Sequence, residues 1–476
     1  MKVLNKIEKF LPDVEKPARY TGGELNMVKK NLDDVDIRFA FCFPDVYEVG
    51  MSFLGLSILY HLLNERTDTY VERVFSPWPD MEDAMKANDV PLFSLETHST
   101  LDEFDVFGFN ISYEMCYSNI VRAFDMAGIP ALSASRSEED PLVIAGGSAI
   151  FNPEPIADFM DAVFIGESEE TLNALLDLLK KSKQAGWTKK AFLEAACSIE
   201  SVYVPSFYAP EETDSGYQLK PINSNAKPIV SKSIIRDLDA SYFSEKPIVP
   251  YLGIVHDRIT LEIFRGCTRG CRFCQAGFTN RPIREKKADT LTKQAVNIES
   301  ATGYDEVSLC SLSTSDYSEI GPLIGGLLDE LADKRVNISL PSLRLDTVFK
   351  DYAKRLDSIR KSGLTFAPEA GTQRLRDIIN KNVTEEDLFS TMEQVFSQGY
   401  TSVKLYFMIG LPFETYKDLD GIVELVKGVK SVYGLAGKNN KRGLTLTVSA
   451  SNFVPKPFTP FQWVPQDSIE TLKEKQ

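Results

Sequence analysis

The sequence predicts an α/β chain of two parallel-sheet domains in tandem, and three observations predict it. At 476 residues the chain exceeds one ordinary domain. Short apolar runs alternate with helical patterns twice, over residues 36–182 and again from residue 258, as in parallel sheets flanked by helices. Between the two runs, residues 201–250 are rich in Pro, Ser, Asn and Tyr and read as a connector with extended or hairpin structure. The expected domains are therefore 1–200 and 251–476, joined by 201–250.

In the first run, residues 36–42 (DIRFAFC) form the first strand, followed by a turn and a helix over 52–65. A second strand over 104–112 leads into a helix at about 115–126. Residues 141–145 form a third strand, ending in Gly146 and Gly147, and 161–165 a fourth, running through Gly166 and Glu167 into an amphipathic helix over 171–182. Ligands in such sheets bind beyond the carboxyl ends of the strands.

In the second run the strands are 259–264, 306–310, 337–340, 363–367, 402–409 and 445–450. Helices fall between them at 293–301, 320–332, 373–380, 385–398 and 418–432. Six such units fit a partial (β/α)6 barrel of TIM type, since a full eight-unit barrel takes about 250 residues.

Composition narrows the function. A hydrophobic fraction of 43% supports sizeable cores. The net charge of −15 repels phosphate backbones and acidic membranes, which argues against non-specific nucleic-acid binding. The N-terminus has no apolar signal core, and no run of about 18 uncharged apolar residues occurs. The expectation is a cytoplasmic protein without a membrane partner. Seven cysteines form no disulfide framework. Cys42, Cys116, Cys197 and Cys310 are scattered, and the other three are clustered.

The cluster is Phe264-Arg-Gly-Cys267-Thr-Arg-Gly-Cys271-Arg-Phe-Cys274, directly after the first strand of the second run. Three thiolates at C-x3-C-x2-C spacing can wrap one side of an iron–sulfur cube and leave one iron open. Gly266 and Gly270 relieve crowding where the backbone bends. Arg265, Arg269 and Arg272 are expected to lower the thiol pKa values. The alternative is a zinc-binding scaffold. Zinc prefers four ligands, yet none of the three histidines, His61, His98 and His256, lies in the motif, and Cys310 would have to serve as a remote fourth.

With aromatic Phe273 before its last cysteine, the motif resembles the radical S-adenosylmethionine (SAM) superfamily signature. That resemblance implies a [4Fe–4S] cluster on Cys267, Cys271 and Cys274, with SAM bound to the open iron. It also implies reductive cleavage to a 5′-deoxyadenosyl radical and an electron donor such as flavodoxin or ferredoxin. Ser311, Ser313 and Ser315 follow the second strand, where the family binds the SAM amino group; the same turn is equally a helix N-cap. Arg344 is a candidate partner for the SAM carboxylate, or a surface arginine. Glu369 follows the fourth strand and resembles the ribose-contacting turn; it is otherwise a first-turn charge on the following helix. Ile409 and Gly410 resemble the fifth-strand backbone that brackets adenine. Phe273 completes the expected SAM set.

The N-terminal domain resembles the Rossmann-like domain of cobalamin-binding radical SAM proteins. In the loop Pro44-Asp45-Val46-Tyr47-Glu48-Val49-Gly50, Asp45 and Gly50 match the family's D-x-H-x-x-G pattern, while Tyr47 stands in the histidine position. Ser112, Gly146, Gly147, Gly166 and Glu167 complete the expected cobalamin set at later strand ends. Cobalamin bound here would lack a histidine on cobalt, and the resemblance would then imply methyl transfer to an unactivated carbon. The other readings are a domain retained for packing or substrate docking and a cobalamin-independent radical reaction. The resemblance covers about residues 36–463, including the string Phe453-Val-Pro-Lys-Pro-Phe-Thr-Pro-Phe-Gln-Trp463. Residues 469–476 read as the start of a helix.

Overall fold

The computed structural model describes residues 2–214, 216–339, 364–436 and 443–476, in two compact units, Met1–Asp257 and Arg258–Gln476.

The first unit is a sheet of β1 (Ile37–Phe43), β2 (Thr69–Phe75), β3 (Val106–Asn110), β4 (Leu142–Gly146), β5 (Ala162–Phe164) and β6 (Val202–Tyr203), in the order β2-β1-β3-β4-β5-β6. All neighbours are parallel except β5 and β6. Strand alternation splits β1 between two cores: Phe39, Phe41 and Phe43 enter one, Ala40 and Cys42 the other. Helices Leu54–Asn64 and Glu169–Ala185 pack on the first face. Helix Tyr117–Ala127 covers the second with Ile120, Ala123, Phe124 and Ala127, and ends at Gly128 in the left-handed region. Burial on both faces explains why these strands read as continuous apolar runs. The strand order reverses between β1 and β3, which places the crevice of this sheet at their carboxyl ends.

Strand β2 escaped the sequence reading because Glu72 and Arg73 interrupt its apolar run. The fold buries both by pairing them. Glu72 receives Arg38 at 2.8 Å and the Ser94 hydroxyl at 2.6 Å. Arg73 lies between Glu24 at 2.8 Å and Glu96 at 2.6 Å. Buried charges persist only with such partners. Past β6, β7 (Tyr208–Thr213) and β8 (Gly216–Pro221) form an antiparallel hairpin.

In the second unit, β9 (Ile259–Glu262) is followed by a short antiparallel ladder of β10 (Phe264–Arg265) and β11 (Arg284–Glu285), which brackets the cysteine loop. The expected strand 259–264 is thus two strands. Then come β12 (Glu306–Cys310), β13 (Asn337–Ser339), β14 (Leu364–Glu369), β15 (Ser402–Ile409) and β16 (Thr445–Asn452). They form two parallel sheets, β9-β12-β13 and β14-β15-β16, with strand order sequential in each. Helices Ala288–Thr302, Ile320–Leu331, Glu385–Ser397 and Tyr416–Ala436 alternate with the strands, which is the pattern of a partial (β/α)6 barrel. Helix Glu385–Ser397 buries Leu388, Met392, Val395 and Phe396 against Val403, Leu405 and Phe407 of β15. Among the described residues, no helix is long and apolar enough to cross a membrane.

Candidate active site: a cavity lined by three cysteines

Cys267, Cys271 and Cys274 line one cavity of about 550 Å³ at the carboxyl end of the second unit's first strand. The loop that carries them bends at Gly266 (φ 96°) and Gly270 (φ 70°). A Cβ on Gly266 would stand 2.7 Å from the Pro282 carbonyl oxygen, so the close pass of the chain requires glycine there. Arg281 Nε donates to the Cys267 carbonyl at 3.3 Å. On the far side, Arg272 N donates to Ile379 O at 3.0 Å and Phe461 N to Arg272 O at 3.3 Å. Phe273 lines the cavity and packs against Ala370, Leu375, Ile379, Leu411, Phe453 and Phe461.

Among the described residues, no three His, Cys, Asp or Glu side chains gather closely enough to hold a single metal ion. Three thiols from one loop on one cavity, with the Glu369 carboxyl beside them, are a donor set that fits a cluster leaving one iron open.

Each of the three loop arginines is paired with another group, and only Arg269 also faces the thiols: it lines the cavity, and its pKa is raised chiefly by its bond to Asp316 and further by Cys267 and Cys271. Arg265 is paired with Glu262 at 2.8 Å, Arg269 with Asp316 at 2.7 Å, and the Arg272 guanidinium with the Ile378 carbonyl. Burial pushes the Cys271 and Cys274 thiols up, and the cation opposing that shift is Lys381. Sequence reasoning missed Lys381 and its neighbour Asn380. The run Asn380-Lys381-Asn382 after a helical stretch is a C-cap signal, and it could have placed both residues at the helix end that meets the loop.

Ser313 and Glu369 share the cavity wall with the cysteines. Ser313 Oγ donates to Asp316 at 2.6 Å. Ser311 Oγ lies 3.0 Å from Thr314 Oγ1, off that wall. Ser315 belongs to the 3-10 turn Thr314–Asp316, and its side chain lies outside the described residues. This turn does not cap helix Ile320–Leu331, whose N-cap is Glu319. Glu369 takes a left-handed backbone (φ 68°) where the β14–β15 register shifts, between Phe366 and Glu369. Such strain in a non-glycine residue at a strand end accompanies functional sites. Burial pushes its carboxyl up, opposed by Lys381 at 3.3 Å.

Ile409 and Gly410 lie off the cysteine cavity. Their backbone is engaged within the chain: Phe453 N donates to Ile409 O at 2.8 Å, and Gly410 N donates to Glu414 at 2.9 Å. Arg344 lies outside the described residues.

In the first unit the expected cofactor residues divide. Asp45 follows β1, receives the Tyr113 hydroxyl and lines a separate cavity of about 210 Å³. Ser112 follows β3, with Oγ 3.1 Å from Asn110. Gly146 ends β4 with room for a Cβ, the nearest atom being 3.7 Å away. The others are accounted for by internal packing. Tyr47 is only 2% exposed, stands edge-on to Phe75 and donates its hydroxyl to Glu24 at 2.8 Å. It is a core residue, so the loop offers cobalt no side-chain ligand from the histidine position. A Cβ on Gly50 would overlap the Phe75 ring, one on Gly147 the Ile111 carbonyl, and one on Gly166 the Ser233 carbonyl. Glu167 is held by the connector, with Ile235 N donating to its carboxylate at 2.5 Å.

Residues 261–426 match the family model described as the radical SAM superfamily, and residues 55–205 the model for the N-terminal region of radical SAM proteins. The chain is 27% identical over 424 residues to an uncharacterized protein of Methanocaldococcus jannaschii, covering 89% of this chain and 78% of that one. It is 22% identical over 205 residues to the threonylcarbamoyladenosine tRNA methylthiotransferase MtaB of Treponema pallidum, spanning 42% of that relative's length. Two solved structures resemble it in fold. TsrM from Kitasatospora setae, a radical SAM methyltransferase determined with cobalamin and a [4Fe-4S] cluster, aligns with a TM-score of 0.59 at 11% identity, over 89% of this chain and 74% of that one. OxsB, a cobalamin-dependent SAM radical enzyme, aligns with a TM-score of 0.59 at 14% identity, over 89% and 60%.

Proposed function

This chain belongs to the radical SAM superfamily, and we propose that it is an enzyme of that group in which Cys267, Cys271 and Cys274 hold a [4Fe–4S] cluster with SAM at the open iron. The observation that carries this reading is the placement of the three thiols on one cavity wall beyond the first barrel strand, with Ser313 and Glu369 on the same wall. When bound, the cluster and SAM supply a 5′-deoxyadenosyl radical for hydrogen abstraction. The chain's own residues position and balance them. Lys381 offsets thiolate charge beside Cys271 and Cys274. Glu369 presents acceptors for ribose hydroxyls, and Ser313 an acceptor for the SAM amine. A small electron-transfer protein such as flavodoxin or ferredoxin supplies the electron.

Anaerobic reconstitution tests the reading. The wild-type chain is expected to take up about four irons and four sulfides and to form 5′-deoxyadenosine from SAM and dithionite. Alanine at any one of the three cysteines should abolish both. Zinc without sulfide would establish the scaffold reading instead.

A second reading is favoured by the fold likeness to TsrM and OxsB, both determined with cobalamin. In it the first unit binds cobalamin without a protein ligand on cobalt, at the β1–β3 crevice edged by Asp45, Ser112 and Gly146, and the reaction is methyl transfer to an unactivated carbon. Cobalt near one per chain from cells given hydroxocobalamin supports it. Absence of cobalt leaves a cobalamin-independent radical reaction.

A further inference from the structure

Helix Gln373–Ile378 is followed by a residue in the left-handed region, Asn380 (φ 54°). Asparagine tolerates that conformation better than most residues with a side chain. From this turn its carboxamide reaches the cysteine loop. Asn380 Nδ2 donates to the Gly270 carbonyl at 2.8 Å and lies 3.5 Å from the Arg269 carbonyl. Both carbonyls belong to the span between Cys267 and Cys271. The same helix is tied to the turn that carries Glu369, because Arg376 donates to Ala370 O at 2.9 Å. One short helix thus links the two parts of the cavity wall.

We propose that Asn380 is a positioning residue for the cysteine loop, committing the Arg269 and Gly270 carbonyl oxygens to an amide donor and so fixing the span between Cys267 and Cys271. The inference rests on the cluster reading above. Carbonyl oxygens left free beside an anionic thiolate cluster would repel it, and a loop without this tie would sample spacings the cluster cannot bridge.

The test uses the full chain, reconstituted anaerobically, as wild type, N380G and N380D. Glycine keeps the left-handed backbone and removes the donor. Aspartate keeps size and backbone tolerance but offers only acceptors. Both variants are expected to lose iron to a chelator on the order of tenfold faster, the equivalent of one hydrogen bond. They should also alter the electron paramagnetic resonance spectrum of the reduced cluster and its response to SAM, while the metal-free chain melts as wild type. Wild-type iron release and spectra in both variants overturn the proposal. So does a lowered melting temperature with an unchanged spectrum, which marks a merely structural role. A wild-type chain that takes up no iron or sulfide overturns the cluster reading itself.

Discussion

Tyr47 and Arg73 show how far a single position can be read. Tyr47 sits where a resemblance expects a metal-binding histidine, yet its hydroxyl is bound to Glu24 and its ring packs on Phe75. Glu24 also holds Arg73, which is 1% exposed and reaches Glu96 on its other side. Glu24, Tyr47, Arg73 and Glu96 are far apart in sequence, and no period or motif connects them. They become one network only when the N-terminal segment lies along β2. Replacing Arg73 with alanine would leave two buried carboxylates without their cation. The expected cost is about 3–5 kcal/mol, read by denaturant unfolding of the purified chain. A loss below about 1 kcal/mol would show that the network is hydrated and dispensable.

Elements whose buried positions are mostly apolar were legible. Strands 306–310 and 402–409 have the bounds read from the sequence; in the second, Val403, Leu405, Phe407 and Ile409 alternate inward, and the first buries Val307, Ser308 and Leu309 in succession. The cysteine loop was legible as a candidate ligand set but not as a supported structure. Its support comes from the turn after helix Gln373–Ile378 and from the segment at Phe453–Phe461, about a hundred or more residues downstream. The Phe453–Trp463 string, noted only as a resemblance, packs Phe453 and Phe461 beside Phe273. Phe461→Ala is expected to destabilise the second unit by about 3–5 kcal/mol, measured by thermal unfolding, and to speed cluster loss. Unchanged unfolding would mean that Phe273 is held by its other neighbours alone.

At the scale of the molecule, ion pairs add an acid-sensitive component to the first unit. Burial raises the carboxyl of Glu48, but bonds from Arg19 and Lys16 more than offset this and hold it at about 2, below its ordinary 4.5. Bonds from Lys180 and Arg66 likewise bring Asp68 to about 2 against burial, from 3.8. A carboxyl depressed by folding stabilises the native state above its unfolded pKa and loses that contribution as pH falls toward the folded one. The melting temperature should therefore drop between about pH 4.5 and about pH 2. Glu48→Gln should start lower at neutral pH and fall less over that window. A parallel fall in both proteins would assign the acid sensitivity to other groups.

The sequence by itself determined the two-domain α/β plan, the order of most strands and the identity of the three cysteines. Each of these is written in local spacing: apolar runs at strand period, helical stretches between them, and thiols within one loop. Only the tertiary structure decided which residues surround those thiols, that Lys381 joins Arg269 as a cation beside them, and that Tyr47 and several glycines serve packing. Those outcomes depend on partners brought together across tens to hundreds of residues. A side chain's charge, strain or burial is set by such partners and not by its neighbours in the chain.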